Sequence, residues 1–548
     1  MSESSHPYAS AGPAGTDASD PLTRSSLPRD DMGNGRRLMA VHGHDIAHID
    51  KSGFIVWTGE IWDADHGDKR ALQLAMRLSE IVTEEMEVQS RQPVEKWLLD
   101  ATMASDQIDE KKATAKIKAA RRGAWRSYIA RCGRLPDIER ALKVLRTYAM
   151  GSKGDFDNNT LRLTLANGTL DLSKLPSAAE VDVTPEEIGA AFVEEFFRDD
   201  MSTHQSPVRF DPRADCPKWI AFIELIMPSR PMQQYMQMVF GYCLSGSVSE
   251  QCIFLFQGEG KNGKSVLLTI MSRILGDYST VTPIETFLRD KNRSGASASP
   301  DVARLDGRRL VRASEPRKGD VLDDGRLKEF SGGELMATRE LYGKYYEFQP
   351  RAKLFLSFNR VPSIYSDDDG MWRRIHLIPF SVQIPESMRR AFDVVVAELM
   401  DEAPGILNWM IEGWRAYAAA GRIVRPEEVE IASQDLRETL DTIGQFLSEC
   451  CIKGNEEKAQ FAQVYVVYEK WATRLGDKPV SRKALAMALE NKGYKKDRGG
   501  GNNSAYRSGL RLRYRDEIGP DIGTEMYGEW LRAASAPVDK PIEGEDVF

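Results

Sequence analysis

The chain has 548 residues, 41% of them hydrophobic, and a formal net charge of −8. That length accommodates roughly three or four domains, while the lack of any long apolar run argues against a membrane span and the polar N-terminus against a secretory leader. The negative balance excludes a uniformly basic nucleic-acid coat, so contact with DNA has to come from local patches.

Residues 1–36 are rich in Ser, Pro, Gly, Asp and Ala and predict a disordered tail. From Leu38 to Asp65 apolar positions alternate with turn residues, which predicts a small β-rich unit. It contains His42, His44 and His48; the first two would share a strand face, but no Cys or carboxylate completes a metal set. From Asp68 to Met150 the spacing turns helical, so 37–154 is expected to be a β-rich, then helical, N-terminal domain. Residues 111–146 carry twelve Lys/Arg against two acids, with Trp125 and Tyr128 interleaved. A solvated helix face and a DNA- or partner-binding surface both account for such a run. The six cysteines are scattered without C-x-x-C spacing, as for reduced thiols in a cytoplasm.

Residues 155–172 alternate around Asn167-Gly168 and predict a hairpin. A helical stretch over 217–247 completes the region 155–249 that leads into the core. The core, expected over 250–385, opens on QCIFLFQGEGKNGKSVLLTIMSRIL, residues 251–275. An apolar strand, the pattern G-x-x-x-x-G-K-S from Gly258 to Ser265, and an amphipathic helix follow one another. That order is what a phosphate-binding loop requires, because loop and helix N–H groups must face the phosphates. Gly258, Glu259, Gly260, Lys261, Asn262, Gly263, Lys264, Ser265 and Val266 are the candidate nucleotide-binding residues. Lys264 would reach the β/γ-phosphates and Ser265 would ligate Mg²⁺.

Three further strands are predicted: 308–316 ending near Glu315, 353–359 ending at Asn359, and 374–380. Ligands of parallel sheets sit at the carboxyl ends of the strands, which would bring Glu315 and Asn359 beside the phosphates. Glu315 could orient or deprotonate water, or join Ser265 at the metal; Asn359 could bond the water or the γ-phosphate. Arg373 and Arg374, in a loop before the last strand, could contact a neighbouring subunit's ATP. Between these strands, two amphipathic segments flank Gly343-Lys344, and a hairpin presenting Lys344 between tyrosines would suit a DNA backbone.

A helical extension is expected over 386–426, with Trp409 and Trp414 in its core. From 427 to 533, three helices, a glycine-rich turn and a strand pair form a winged-helix pattern. Residues 481–515 carry ten Lys/Arg against two acids, which favours nucleic-acid contact. Residues 534–548 read as an acidic tail.

GEGKNGKS, LVRASEP, LKEFSGGELMATRELYG, KLFLSFNRVPSI and DDDGMWRRIHLIPF, in that order, resemble superfamily 3 helicases. The likeness is to the phage and plasmid primase-helicases related to the poxvirus NTPase/primase. NGTLDL, FDPRADCPKW and FGYCLSG resemble that family's region before the ATPase. The resemblance implies an α/β fold: an AAA+-like P-loop ATPase core with a mainly helical N-terminal region and a C-terminal winged-helix-like domain. It implies ATP and Mg²⁺ as cofactors, a homo-hexameric ring, and single-stranded or forked DNA gripped by Lys344. Gly258–Ser265 match Walker A, Glu315 the acidic end of Walker B, Asn359 the sensor, and Arg374 or Arg373 the arginine finger. Many relatives have two acids in Walker B; here Ser314 precedes Glu315, which carries the role alone. An N-terminal primase is not expected, because Asp63 and Asp65 lack the further carboxylates and His of such a site; a separate primase or polymerase would then be the partner. The function expected is an ATP-dependent DNA helicase of phage or mobile-element replication, acting in the host cytoplasm. The alternative is an origin-binding or loading ATPase without processive unwinding. A small-molecule kinase would leave Lys344, Asn359 and the arginine pair unexplained.

Overall fold

The fold is that of a computed structural model, which describes residues 20–535 apart from 51, 179–182, 290–298, 314, 316–319, 340–344, 360–363, 365–367, 476–478, 499–504 and 521. It is a mixed α/β chain organised on a parallel sheet of five strands: β1 (Ile253–Gln257), β2 (Ser279–Thr282), β3 (Leu310–Ala313), β4 (Lys353–Phe358) and β5 (Ile375–Pro379). Their spatial order is β5-β1-β4-β3-β2. All but β2 are short apolar runs, because both sheet faces are covered there. One face packs on helices Arg230–Tyr242, Lys264–Leu275 and Ala403–Ala420, the other on Phe287, Leu327, Phe330 and Trp372. Helices Arg230–Tyr242 and Ala403–Ala420 approach through glycine: a Cβ on Gly241 would lie 2.1 Å from the Trp414 nitrogen, and one on Gly413 1.9 Å from the Gln237 carbonyl oxygen.

Two buried cations fasten the preceding region to the sheet. Arg309, just before β3, donates to the Leu244 carbonyl, and Lys353 donates to the Ser245 and Ser247 carbonyls at 2.5 and 3.1 Å. Both meet the C-terminal end of helix Arg230–Tyr242, where the helix dipole favours positive charge. Burial pushes the Lys353 ammonium down to about 8.

The N-terminal part differs from expectation at its start. Residues 1–19 lie outside the described residues, but Pro21–Arg24 and Asp31–His42 are helices rather than a disordered tail. The cause is Arg37. It is fully buried, bonded to Glu85 through Nε at 2.9 Å, and it donates to the Pro28 and Leu27 carbonyls at 2.6 and 3.0 Å. His42 therefore ends a helix and His44 follows in a turn, so the two share no strand face; His48 lies in strand Ile46–Ile49, edge-on to Phe54. Among the described residues no group of three or more His, Cys, Asp or Glu is placed to hold a metal ion. Five helices, Gly67–Met76 to Leu135–Tyr148, fill the rest of this part. In the hairpin that follows, strands Arg162–Leu165 and Gly168–Asp171 close around Ala166 and Asn167.

Helix Glu427–Leu440, read from sequence as the start of the C-terminal unit, packs on the core instead. Leu436 joins the core cluster, and Ser433 Oγ accepts the Leu377 N–H on the open edge of β5 at 2.9 Å. The next unit runs helix Thr442–Cys450, strand Cys451–Gln460, helices Phe461–Arg474 and Arg482–Asn491, then strands Lys496–Arg498 and Ala505–Leu512. Its three strands form one antiparallel sheet with Ala505–Leu512 in the centre. A final helix, Thr524–Ser535, closes over it; Tyr527 donates to the Cys450 carbonyl at 3.0 Å. Residues 536–548, read as the acidic tail, lie outside the described residues. Among the described residues no helix is long and apolar enough to cross a membrane.

Candidate active site

Two glycines of the loop after β1 have no room for a side chain. A Cβ on Gly258 would lie 2.3 Å from Asn262 Nδ2 and 2.6 Å from the Phe380 carbonyl oxygen. Gly263 has φ +83°, and a Cβ there would lie 2.5 Å from Ile226. Two cross-links brace the loop: Phe380 N–H donates to the Gln257 carbonyl at 2.7 Å, and Ile384 N–H to the Lys261 carbonyl at 2.9 Å. Helix Lys264–Leu275 starts immediately after, so its unpaired N–H groups open at the loop.

Lys264 is 5% exposed. Its ammonium donates to the Gly258 carbonyl at 2.5 Å and to Asn262 Oδ1 at 3.2 Å. Burial holds it below the ordinary lysine range, and the Glu315 carboxylate opposes that shift. Ser265, the next residue, is exposed to the cavity.

Glu315 follows β3 and Asn359 follows β4, and these strands are parallel neighbours. The Asn359 backbone N–H donates to Glu315 Oε1 at 2.9 Å. Lys264, Ser265, Glu315 and Asn359 thus line one cavity of about 880 Å³ at the carboxyl edge of the sheet. The opposite wall is apolar and was not foreseen from sequence. It is built from Phe222 and Leu225 on helix Pro217–Ile226 and from Met388, Phe392, Val395 and Leu399 after β5. Glu402 fixes that helix by accepting the Lys218 and Trp219 N–H groups at 3.1 and 3.0 Å. Lys218, Arg389 and Arg390 stand around the same cavity; the only local hint of them was an Arg-Arg pair soon after the last core strand. The arrangement can hold an anion against the loop and a planar apolar group against the far wall.

Arg373 and Arg374 are not in this cavity. They precede β5, whose first residue pairs with the first residue of β1, so they lie at the opposite edge of the sheet, about 16 Å of strand away from the loop. The two differ from one another. Arg374 is 8% exposed and donates to the Gly370 carbonyl at 3.1 Å and to Ser331 Oγ at 3.2 Å. Arg373 is exposed, and its guanidinium donates to Gln251 Oε1 at 3.1 Å. The segment before β4 forms helix Asp324–Gly332 and antiparallel strands Met336–Arg339 and Tyr345–Phe348. Lys344 falls between those strands and lies outside the described residues.

Residues 35–228 match the family described as "D5 N terminal like", and residues 256–374 match a "Family of unknown function (DUF5906)". "Putative helicase L207/L206" of Acanthamoeba polyphaga mimivirus is 30% identical over 252 residues, 43% of this chain and 26% of that protein. "Putative primase C962R" of African swine fever virus (strain Badajoz 1971 Vero-adapted) is 21% identical over 334 residues, 58% of this chain and 33% of that protein. These matches fit the D5-like primase-helicase family of phages and viruses. "Putative helicase 022R" of Frog virus 3 (isolate Goorha) is 25% identical over 47% of this chain and 28% of its own length. The chain thus spans about a quarter to a third of the length of these relatives. Among solved structures, "The A form apo structure of NrS-1 C terminal region-CTR" aligns with a TM-score of 0.37 at 11% identity, over 56% of this chain and 79% of that one.

Proposed function

We propose that this D5-like chain is an ATP-dependent superfamily 3 DNA helicase that works as a ring, in the replication of a phage or mobile element. The observation that carries the proposal is the convergence of Lys264, Ser265, Glu315 and Asn359 on one cavity at the carboxyl edge of a five-stranded parallel sheet. The AAA+-like reading of the core has the same support. ATP would lie with its phosphates on the loop N–H groups and Lys264, and its base against Phe222 and Phe392. Ser265, with Glu315 behind it, would hold Mg²⁺, which supplies charge neutralisation on the phosphates. Glu315 would orient and deprotonate the attacking water, held by the Asn359 N–H that already bonds it. Asn359 would report the γ-phosphate to β4. Arg373 suits a role on a neighbour's ATP better than Arg374, because its guanidinium is exposed and far from its own loop. Lys344 would carry the grip on DNA.

A second reading, an origin-binding or loading ATPase, is favoured by the C-terminal unit. Its order of three helices and three strands suits a winged helix, and on the third helix Arg482, Lys483 and Met487 are all exposed. ATP turnover with and without forked DNA tests the motor reading. DNA should accelerate turnover by the wild type, and Lys344→Ala should lose that acceleration while keeping basal turnover. Turnover indifferent to DNA in the wild type sinks the motor reading.

A further inference from the structure

We propose that the exposed face of helix Glu110–Cys132, together with Trp97, is a second binding surface, for single-stranded DNA, separate from the phosphate-loop cavity. The helix carries eight Lys/Arg and a single acid, Glu110, in a chain whose net charge is −8. Its buried positions, Ala113, Ile117, Trp125, Tyr128 and Cys132, fix which face turns inward.

The seven cations before Arg131 divide into two sets. Lys112, Lys116 and Arg121 are consumed by ion pairs with Asp109, Asp106 and Glu95. Lys111, Lys118, Arg122 and Arg126 are exposed and have no ion-pair partner among the described residues. Lys118, Arg122 and Arg126 are spaced i, i+4, i+8, so they form one row about 12 Å long. Solvated surface helices normally balance such a row with carboxylates at the same spacing; this one has none on that row.

Four neighbouring residues extend the row. Arg29, also exposed, lies over the Trp125 ring at 3.9 Å and adds a cation. Gln89 and Gln92 open onto the same hollow as Lys118 and Arg122 and supply amide hydrogen bonds. Trp97 is 70% exposed at the start of helix Lys96–Asp106, whose preceding residue, Glu95, is pinned to Arg121. An exposed indole and a row of unpaired cations on two helices pinned together by Glu95 and Arg121 are the combination that binds an unpaired strand, with bases stacking on the ring and phosphates on the cations. A duplex keeps its bases stacked on each other and offers the indole nothing, and an acidic protein has no use for a stacking platform.

The test is fluorescence anisotropy of a labelled 20-nucleotide oligo-dT with the full chain, without nucleotide, across a salt series. Lys118→Ala/Arg122→Ala/Arg126→Ala should weaken binding at least about ten-fold and flatten the log K against log salt slope by about 2, since each phosphate contact on a single strand contributes about 0.7. Trp97→Ala should weaken oligo-dT binding about ten-fold, Trp97→Tyr should restore most of it, and binding of a blunt duplex should not change. The Trp97 pair keeps the test decisive if the triple variant misfolds. Unchanged affinity and slope in a folded triple variant would overturn the proposal, as would a Trp97→Ala variant that binds oligo-dT like the wild type. Lys264→Ala should leave this binding intact, so failure of the surface and failure of the motor reading can be told apart.

Discussion

The three loop glycines should not be equally replaceable, and the structure sets their order. Gly260 has φ +50° with nothing within 4 Å of an added Cβ, so alanine there costs only the left-handed backbone, about 1–2 kcal/mol. At Gly258 φ is not in that region, but the Cβ would collide with the Phe380 carbonyl at 2.6 Å. That oxygen is backbone and cannot swing away, so the cost is one of overpacking, about 1–3 kcal/mol. Gly263 combines both penalties, φ +83° and a 2.5 Å approach to Ile226, for about 2–5 kcal/mol. Thermal unfolding should be followed by fluorescence, using the transition that an ATP analogue shifts upward, since only a transition of the binding unit responds to the ligand. At about 2–4 °C per kcal/mol for a unit of this size, Gly263→Ala should fall furthest and Gly260→Ala least. If Gly260→Ala proves as damaging as Gly263→Ala, the loop does not have the conformation described.

Two further outcomes follow from buried polar groups. Arg37→Met should cost up to about 3–5 kcal/mol in the unfolding of the N-terminal part, because the buried Glu85 carboxylate loses its 2.9 Å pair and is left with the looser Arg24 pair at 3.6 Å, and Arg37→Met/Glu85→Met should recover part of that; melting of the single variant at the wild-type temperature would remove Arg37 as the anchor of residues 20–36. His376 is buried against Tyr235, and burial holds its imidazole well below the ordinary range. Below about pH 6.5 the unfolded chain takes a proton that the folded chain refuses, so stability falls as pH falls, by up to about 1.4 kcal/mol per pH unit. His376→Gln should flatten that acid limb in a urea series run from pH 7 to pH 5, and an unchanged slope would show that His376 titrates freely.

What could be read from sequence depended on how local each signal is. The loop and the strands at 253, 310, 353 and 375 announce themselves as apolar runs with a glycine pattern between them. β2 does not. It is an edge strand, Ser279–Thr282, in which Val281 is 49% exposed and only Thr282 is buried, so its pairing with β3 is the whole of its signature. Helix Asp31–His42 escaped for a different reason: its buried face is Gly33, Asn34, Gly35, Arg37 and Leu38, which has the composition of a linker. The apolar wall of the cavity joins Phe222 to Phe392 across the whole core, and no window of sequence contains both. Arg373 and Arg374 are adjacent in sequence, yet one is exposed and the other bonded inside; only the fold of the turn before β5 separates them.

The central claim, that ATP turnover at Lys264 drives strand separation, is tested most directly by unwinding of a forked DNA with wild type and Lys264→Ala side by side. The wild type should separate the strands in an ATP-dependent way and Lys264→Ala should not, with ATP turnover lost in the same variant. Separation by Lys264→Ala at the wild-type rate, or ATP turnover by the wild type without any separation, would contradict it.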